Sequence, residues 1–280
     1  MSVIFDQYTD RLRRKRKSPH TLRAFSTASV RLDTWLARQG LTAETVDLPT
    51  LEDYFDGLGL APSSVGMEMR YIQAAYNYAG RRGALQSNPA LDLEPPNQPD
   101  REPRIIPNDV LRGVRDGISL ERDWIFFHLL AYTGMRRSEI RSLKYDDGSE
   151  DNSVIRLEDE TIRVFGKGGK MRLVPVHPAL GEVLAACRRE PGRFVVPSDG
   201  RQGVALATVQ EMVKRFHPTF TPHDYRRTVA TSLARNDVPE RVIDRIMGWA
   251  ARTVRDRHYI NIAVPELHRG ILRLYADDPV

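Results

Sequence analysis

Only one cysteine, Cys187, occurs in the 280 residues, which excludes an intrachain disulfide framework. It lies in the apolar run "VLAAC" and reads as a buried structural thiol. No apolar core of a signal peptide opens the chain. The longest apolar run, "WIFFHLLAY" at 124–132, contains a histidine and is far too short to span a bilayer. These absences point to a cytoplasmic protein. There is no internal repeat, low-complexity segment or coiled-coil heptad, which removes the solenoid and fibrous classes. Lysine is scarce too. Of the 42 Lys and Arg residues only six are Lys (15, 17, 144, 167, 170 and 214), leaving 36 Arg. Codon bias in a GC-rich genome produces such a ratio, and arginine also suits forked contacts to phosphate. The formal net charge is +5 and the pI about 9.4. That balance permits a polyanionic partner without requiring one.

What is present organises the chain into two parts. Residues 88–108, "NPALDLEPPNQPDREPRIIPN", hold six prolines and few large apolar groups, which excludes a helix or central strand. An extended linker is expected over 88–104. Ten such residues reach roughly 30 Å, enough for two domains to sit on opposite sides of a rod-shaped ligand. Residues 1–87 read as a helical domain. In "SPHTLRAFSTASVRLDTWLARQG", Ser18 is the N-cap, Pro19 the first helical residue and Gly40 lies past the end. Leu22, Phe25, Val30, Leu32 and Trp35 supply its apolar face. Two more helices follow, the second with Met67, Tyr71, Ala74, Ala75 and Tyr78 at helical spacing. Upstream, "RLRRKRK" packs six basic residues into seven. Arg13, Arg14, Lys15, Arg16 and Lys17 are either a solvated face or contacts to nucleic acid.

Residues 105–280 mix helices with three short strands, "SVIRL", "TIRVF" and "MRLVPV", the last two flanking the Gly-rich hairpin turn "GKGGK". The expected class is mainly α with a small antiparallel β-sheet, an α+β protein.

Cationic groups recur where an anion belongs. In "TPHDYRRTVATSLA", Thr221 reads as N-cap, Pro222 as the first helical residue and Asp224 as the third, a capping-box variant. His223 and Arg226 then project near one another beside free backbone N–H groups, a place built for phosphate. In "TGMRRSEIRSL", Gly134 ends one helix and Arg136 starts the next, with Glu139 three residues on to brace its guanidinium. Arg137 and Arg141 form a separate pair on a solvated face. Lys167 and Lys170 share the hairpin turn, and a flexible ammonium there can enter a groove and donate a proton. Further on, "ERVIDRIMGWAARTVRDRHYI" carries a core helix ended by Gly248, then Trp249, then Tyr259 amid charge.

The order R-x-x-E, a lysine hairpin, H-x-x-R, a Gly-Trp pair and a final Tyr resembles the tyrosine recombinases, the phage integrase family that includes Xer-type enzymes. The resemblance covers nearly the whole chain: "SPHTLRAF…LDTWLARQG" and "QSNPALDL" look like the family's helical core-binding domain and its exit into the linker. It implies a catalytic set of Arg136, Lys167, His223, Arg226 and Trp249, with Tyr259 as nucleophile and Glu139 as bracing acid. Trp249 stands where most members have His, and Tyr259 falls ten residues after it where many members have nine. There is little room for a separate arm-binding domain. The implied partner is double-stranded DNA, with a homotetramer in the synaptic complex, and neither a metal nor any other cofactor is called for. Two other readings share the fold: a type IB topoisomerase and a non-catalytic DNA-binding regulator. The tail, "INIAVPELHRGILRLYADDPV", carries an amphipathic helix with Leu267, Ile271 and Leu274 in one stripe. That stripe is buried either on its own catalytic domain or on a neighbouring protomer; the resemblance favours the neighbour.

Overall fold

The computed structural model describes residues 2–98, 102–166, 171–198, 203–249 and 263–280. The chain divides into two compact units, Met1–Arg101 and Glu102–Val280. No described helix is long and apolar enough to cross a membrane.

The first unit is built from α1 (Val3–Arg14), α2 (Pro19–Arg38), α3 (Leu48–Asp56) and α4 (Pro62–Arg81). Ser18 caps α2 by accepting from the Thr21 amide, and Asp47 caps α3 by accepting from Thr50. Both satisfy donors that the first helical turn leaves open. Phe5 meets Phe25 and Tyr76 edge to face, and the Tyr76 hydroxyl donates to the Ala43 carbonyl at 2.8 Å. The buried faces overlap those expected, with Phe25, Leu32 and Ala75 in the core and Leu22, Trp35 and Tyr71 packed at its margin, but they are shifted in part. In α2 the core takes Phe25, Ala28, Ser29, Leu32 and Leu36, while Val30 stays about half exposed. In α4 it takes Val65, Met69, Ile72, Ala75, Tyr76 and Ala79, while Met67 faces out. Two stripes of helical spacing coexist in α4, and packing against α1 and α2 selects between them. Arg13, Arg14, Lys15, Arg16 and Lys17 are all exposed at the turn that ends α1. The Pro-rich segment is not free from residue 88 onward. Ala90 and Leu93 are buried in the helical core, and Gln73 donates to the Leu93 carbonyl at 2.8 Å.

The second unit is centred on α6 (Glu121–Thr133), in which every residue from Ile125 to Thr133 is buried. A helix apolar on all sides must be surrounded. Here α5 (Asn108–Asp116), α7 (Arg137–Arg141), α8 (Pro178–Ala186) and α10 (Pro222–Arg235) pack around it. α9 (Leu206–Phe216) lies against α7, and α11 (Glu240–Met247) against α10. The sheet has four strands in the order β1 (Lys144–Tyr145), β2 (Val154–Arg156), β3 (Thr161–Phe165), β4 (Met171–Pro175). The three expected strands are antiparallel neighbours, but β1 adds a parallel pairing to β2. The sheet is therefore mixed. A two-residue strand is too short to show alternation in sequence.

The tail forms α12 (Val264–Ile271), and its stripe is buried on its own unit rather than left for a neighbour. Leu267, Ile271, Leu274 and Tyr275 are all buried, and α12 packs on α11 and β4. Gly270 permits the approach: a Cβ there would lie 2.8 Å from Val242 Cγ1. The Tyr275 hydroxyl donates to the Ala131 carbonyl at 2.8 Å.

Candidate active site

Two helix ends and two helix beginnings meet at the site. α6 stops at Gly134, whose φ of +59° is left-handed and suits a residue without Cβ. Two residues on, Arg136 is the N-cap of α7. Its backbone N–H donates to Glu139 Oε2 at 2.7 Å and its Nη1 donates to Glu139 Oε1 at 2.9 Å. The brace expected from the i, i+3 spacing is thus present, and 40% of the Arg136 side chain remains exposed.

Opposite, α10 opens with the expected capping box. Thr221 N–H donates to Asp224 Oδ2 at 2.8 Å. This first turn presents His223 at the surface and sends Arg226 inward, 3% exposed. Arg226 donates through Nη1 to the Gly134 carbonyl and through Nη2 to the Met247 carbonyl. Those carbonyls end α6 and α11 and have no intrahelical partner. Burial, then the like charges of Arg136 and Arg172, pull the Arg226 guanidinium down to about 10, with Glu139 opposing. It stays charged at neutral pH. Burial, then Arg227 and Arg226, lowers the His223 pKa, so the imidazole is biased towards its neutral form. Trp249, 44% exposed, sits with its ring centroid 5.9 Å from the Arg226 guanidinium carbon.

The structure adds a residue that sequence reading passed over. Arg172 in β4 is buried and forks onto Glu139, Nη1 to Oε1 and Nη2 to Oε2, both at 2.9 Å. Strand alternation carried the signal: Arg172 shares the inward parity of Val174. Arg136, Arg172 and Arg226 therefore gather around one carboxylate, Glu139. That surplus of positive charge, half of it desolvated, is an arrangement for an anion.

Lys167, Lys170 and Tyr259 lie outside the described residues. Arg137 is exposed as expected, whereas Arg141 is half-buried. Two tyrosines that compete for a nucleophilic role are sealed in. Tyr225 is 1% exposed among the core residues Val229 and Leu233, and Tyr275 is 3% exposed with its hydroxyl bonded to Ala131. Burial raises both phenol pKa values, which disfavours the phenolate.

The model of the phage integrase family matches residues 114–265. Tyrosine recombinase XerC of Pseudomonas fluorescens is 26% identical over 273 residues, covering 89% of this chain and 88% of its own. XerC of Mycobacterium bovis (strain BCG / Pasteur 1173P2) is 26% identical over 295 residues, covering 95% and 96%. Among solved structures, lambda integrase as a dimer bound to a COC' core site matches with a TM-score of 0.71 at 17% identity, covering 94% of this chain and all of that one. Arginines paired around a bracing glutamate at the core of a match spanning more than half the chain leave one assignment: the chain belongs to the phage integrase family, the tyrosine recombinases of site-specific DNA recombination.

Proposed function

We propose that the chain cleaves and rejoins DNA strands through a 3′-phosphotyrosyl ester, with Tyr259 as the nucleophile. The observation that carries this reading is the positive surplus around Glu139. A phosphodiester under attack gathers negative charge on its non-bridging oxygens, and fixed guanidinium donors stabilise that charge without reorganising. Arg136, open on one side, and Arg226, locked by two helix ends, are the donors. His223 donates a hydrogen bond or manages a proton. Trp249 supplies an indole N–H and no acid–base chemistry. As the Tyr259 oxygen bonds to phosphorus, the bond to the 5′ oxygen breaks, and Lys167 protonates that leaving oxygen. The ester keeps the bond energy, so a 5′ hydroxyl from another strand attacks in the reverse sense and no ATP is consumed.

Duplex DNA is the substrate. Lambda integrase, a fold neighbour, is dimeric on its core site and tetrameric on a Holliday junction, and the same mode of assembly is proposed here, in the cytoplasm of a bacterial or archaeal cell. The basic turn at 13–17 and Lys170 would contact the DNA backbone.

The test is a nicked suicide duplex, whose cleaved fragment diffuses away and strands the covalent complex. Peptide mapping should place the DNA on Tyr259, and Tyr259→Phe should bind DNA without forming the complex. Attachment at any other side chain would overturn the assignment.

A further inference from the structure

Arg172 is a buried cation that the proposed chemistry leaves without a role. It lies second in β4, opposite Val164 across the hairpin and on the face that buries Val174. An apolar residue is expected there. Instead the guanidinium, 6% exposed, forks onto Glu139 and donates Nε to the Ile246 carbonyl at 3.0 Å.

The hydrogen-bond inventory of Glu139 is informative. Oε1 accepts from Arg136 Nη1 and Arg172 Nη1, and Oε2 accepts from the Arg136 backbone and Arg172 Nη2. An ionised carboxylate has about four lone-pair sites, so this one is full. Arg136 touches it through a single guanidinium nitrogen. Arginine and carboxylate otherwise favour two parallel bonds. With Arg172 gone, two sites on Glu139 would open beside a half-exposed Arg136, and a second nitrogen would close onto them.

We infer that Arg172 is a positioning residue: by filling Glu139 it limits Arg136 to one side-chain contact and keeps the rest of that guanidinium free for the scissile phosphate. The inference rests on the strand-exchange reading above. The same side chain also steadies the other arginine. Its Ile246 contact adjoins the Met247 carbonyl held by Arg226. Its stem packs under Gly248, where a Cβ would lie 2.7 Å from Arg172 Cδ. Arg172 thus connects the hairpin strand, the brace of Arg136 and the end of α11.

The experiment uses the full chain on two suicide duplexes. One carries the ordinary scissile phosphodiester, the other a methylphosphonate, which lacks the negative charge. Single-turnover cleavage and thermal midpoints are measured for the unaltered chain, Arg172→Met, Arg172→Lys and Arg172→Met with Glu139→Gln. On the phosphodiester, Arg172→Met should cleave roughly 10- to 100-fold more slowly, the size of a lost charge-assisted hydrogen bond, with DNA binding retained. On the methylphosphonate most of that deficit should vanish, because a neutral centre asks less of Arg136. Arg172→Lys, one donor group in place of a fork, should fall between and carries the comparison if Arg172→Met fails to fold. Adding Glu139→Gln should return part of the rate, since a neutral amide cannot draw Arg136 into a forked ion pair. Equal loss on both substrates, with no recovery in the double variant, would make Arg172 a structural residue and overturn the inference. An unaltered chain that forms no covalent complex on the phosphodiester would instead remove the strand-exchange reading and this inference with it.

Discussion

A guanidinium buried as deeply as that of Arg226 needs acceptors that are already in place, because an unpaired buried charge is costly. The carbonyls of Gly134 and Met247 are such acceptors, each at the end of a helix. Lysine has no planar fork and cannot reach both in the same way. Arg226→Lys should therefore lower both thermal stability and cleavage, and Arg226→Ala should slow cleavage by on the order of 10²-fold, the usual cost of a lost oxyanion donor. DNA binding measured alongside separates the catalytic loss from a loss of affinity; equal losses in both would refute a transition-state role. Gly134 is the second sensitive residue. Its φ is +59°, and a Cβ would meet Met247 Cε at 2.7 Å. Gly134→Ala should cost about 1–2 kcal/mol from the left-handed backbone alone and should shift the carbonyl that Arg226 holds. Denaturant titration checks the first effect and suicide-substrate cleavage the second.

Single elements carry their own consequences. α6 places Trp124, His128 and Tyr132 in a ladder that continues to His177. His128 Nδ1 lies 2.8 Å from the Trp124 carbonyl, so the neutral ring donates there. Burial lowers the pKa of His128 and of His177 from the ordinary 6.5. The unfolded chain then takes up these protons at a higher pH than the folded one. Their contribution is complete above about pH 6.5 and is lost as the pH falls below it. The thermal midpoint should decline between pH 7 and pH 5, and His128→Gln should flatten that slope; an unchanged slope would argue against the assignment. α12 offers a second test. Leu267 is 2% exposed in its stripe, so Leu267→Ala should destabilise the second unit by about 2–5 kcal/mol. Were the stripe to belong to a neighbour instead, the monomer would hardly notice.

The whole molecule consists of two units with separate cores. A fragment of residues 1–101 should accordingly fold alone and unfold in one cooperative transition. On the proposed reading, the exposed basic turn at 13–17 contributes electrostatically to DNA binding by that fragment. Replacing Arg13, Arg14 and Lys15 together by Ala should weaken binding across all sequences and flatten the dependence of log K on log salt, by about 0.9 for each phosphate contact removed. An unaltered salt slope would show that the turn makes no phosphate contacts.

Much of the site was legible because its signals are local. The Thr221–Asp224 box, the Gly134 stop and the Arg136–Glu139 spacing each act within one helical turn, where sequence distance and spatial distance agree. The α+β class followed from periodicity for the same reason. Apolar stripes were less legible: α4 carries two sets at helical spacing, and only its neighbours decide which is buried. The same holds for α12, whose stripe states that something must cover it and not what. The partners of Arg226 lie 92 and 21 residues away, and those of Arg172 lie 33 and 74 away. No spacing rule spans such distances. The sequence by itself therefore determined that Arg136, His223 and Arg226 stand at the beginnings of two helices. Tertiary packing alone decided that Arg172 joins them, that Arg226 is locked between two helix ends and that the tail covers its own unit, because those contacts exist only once remote segments are brought into register.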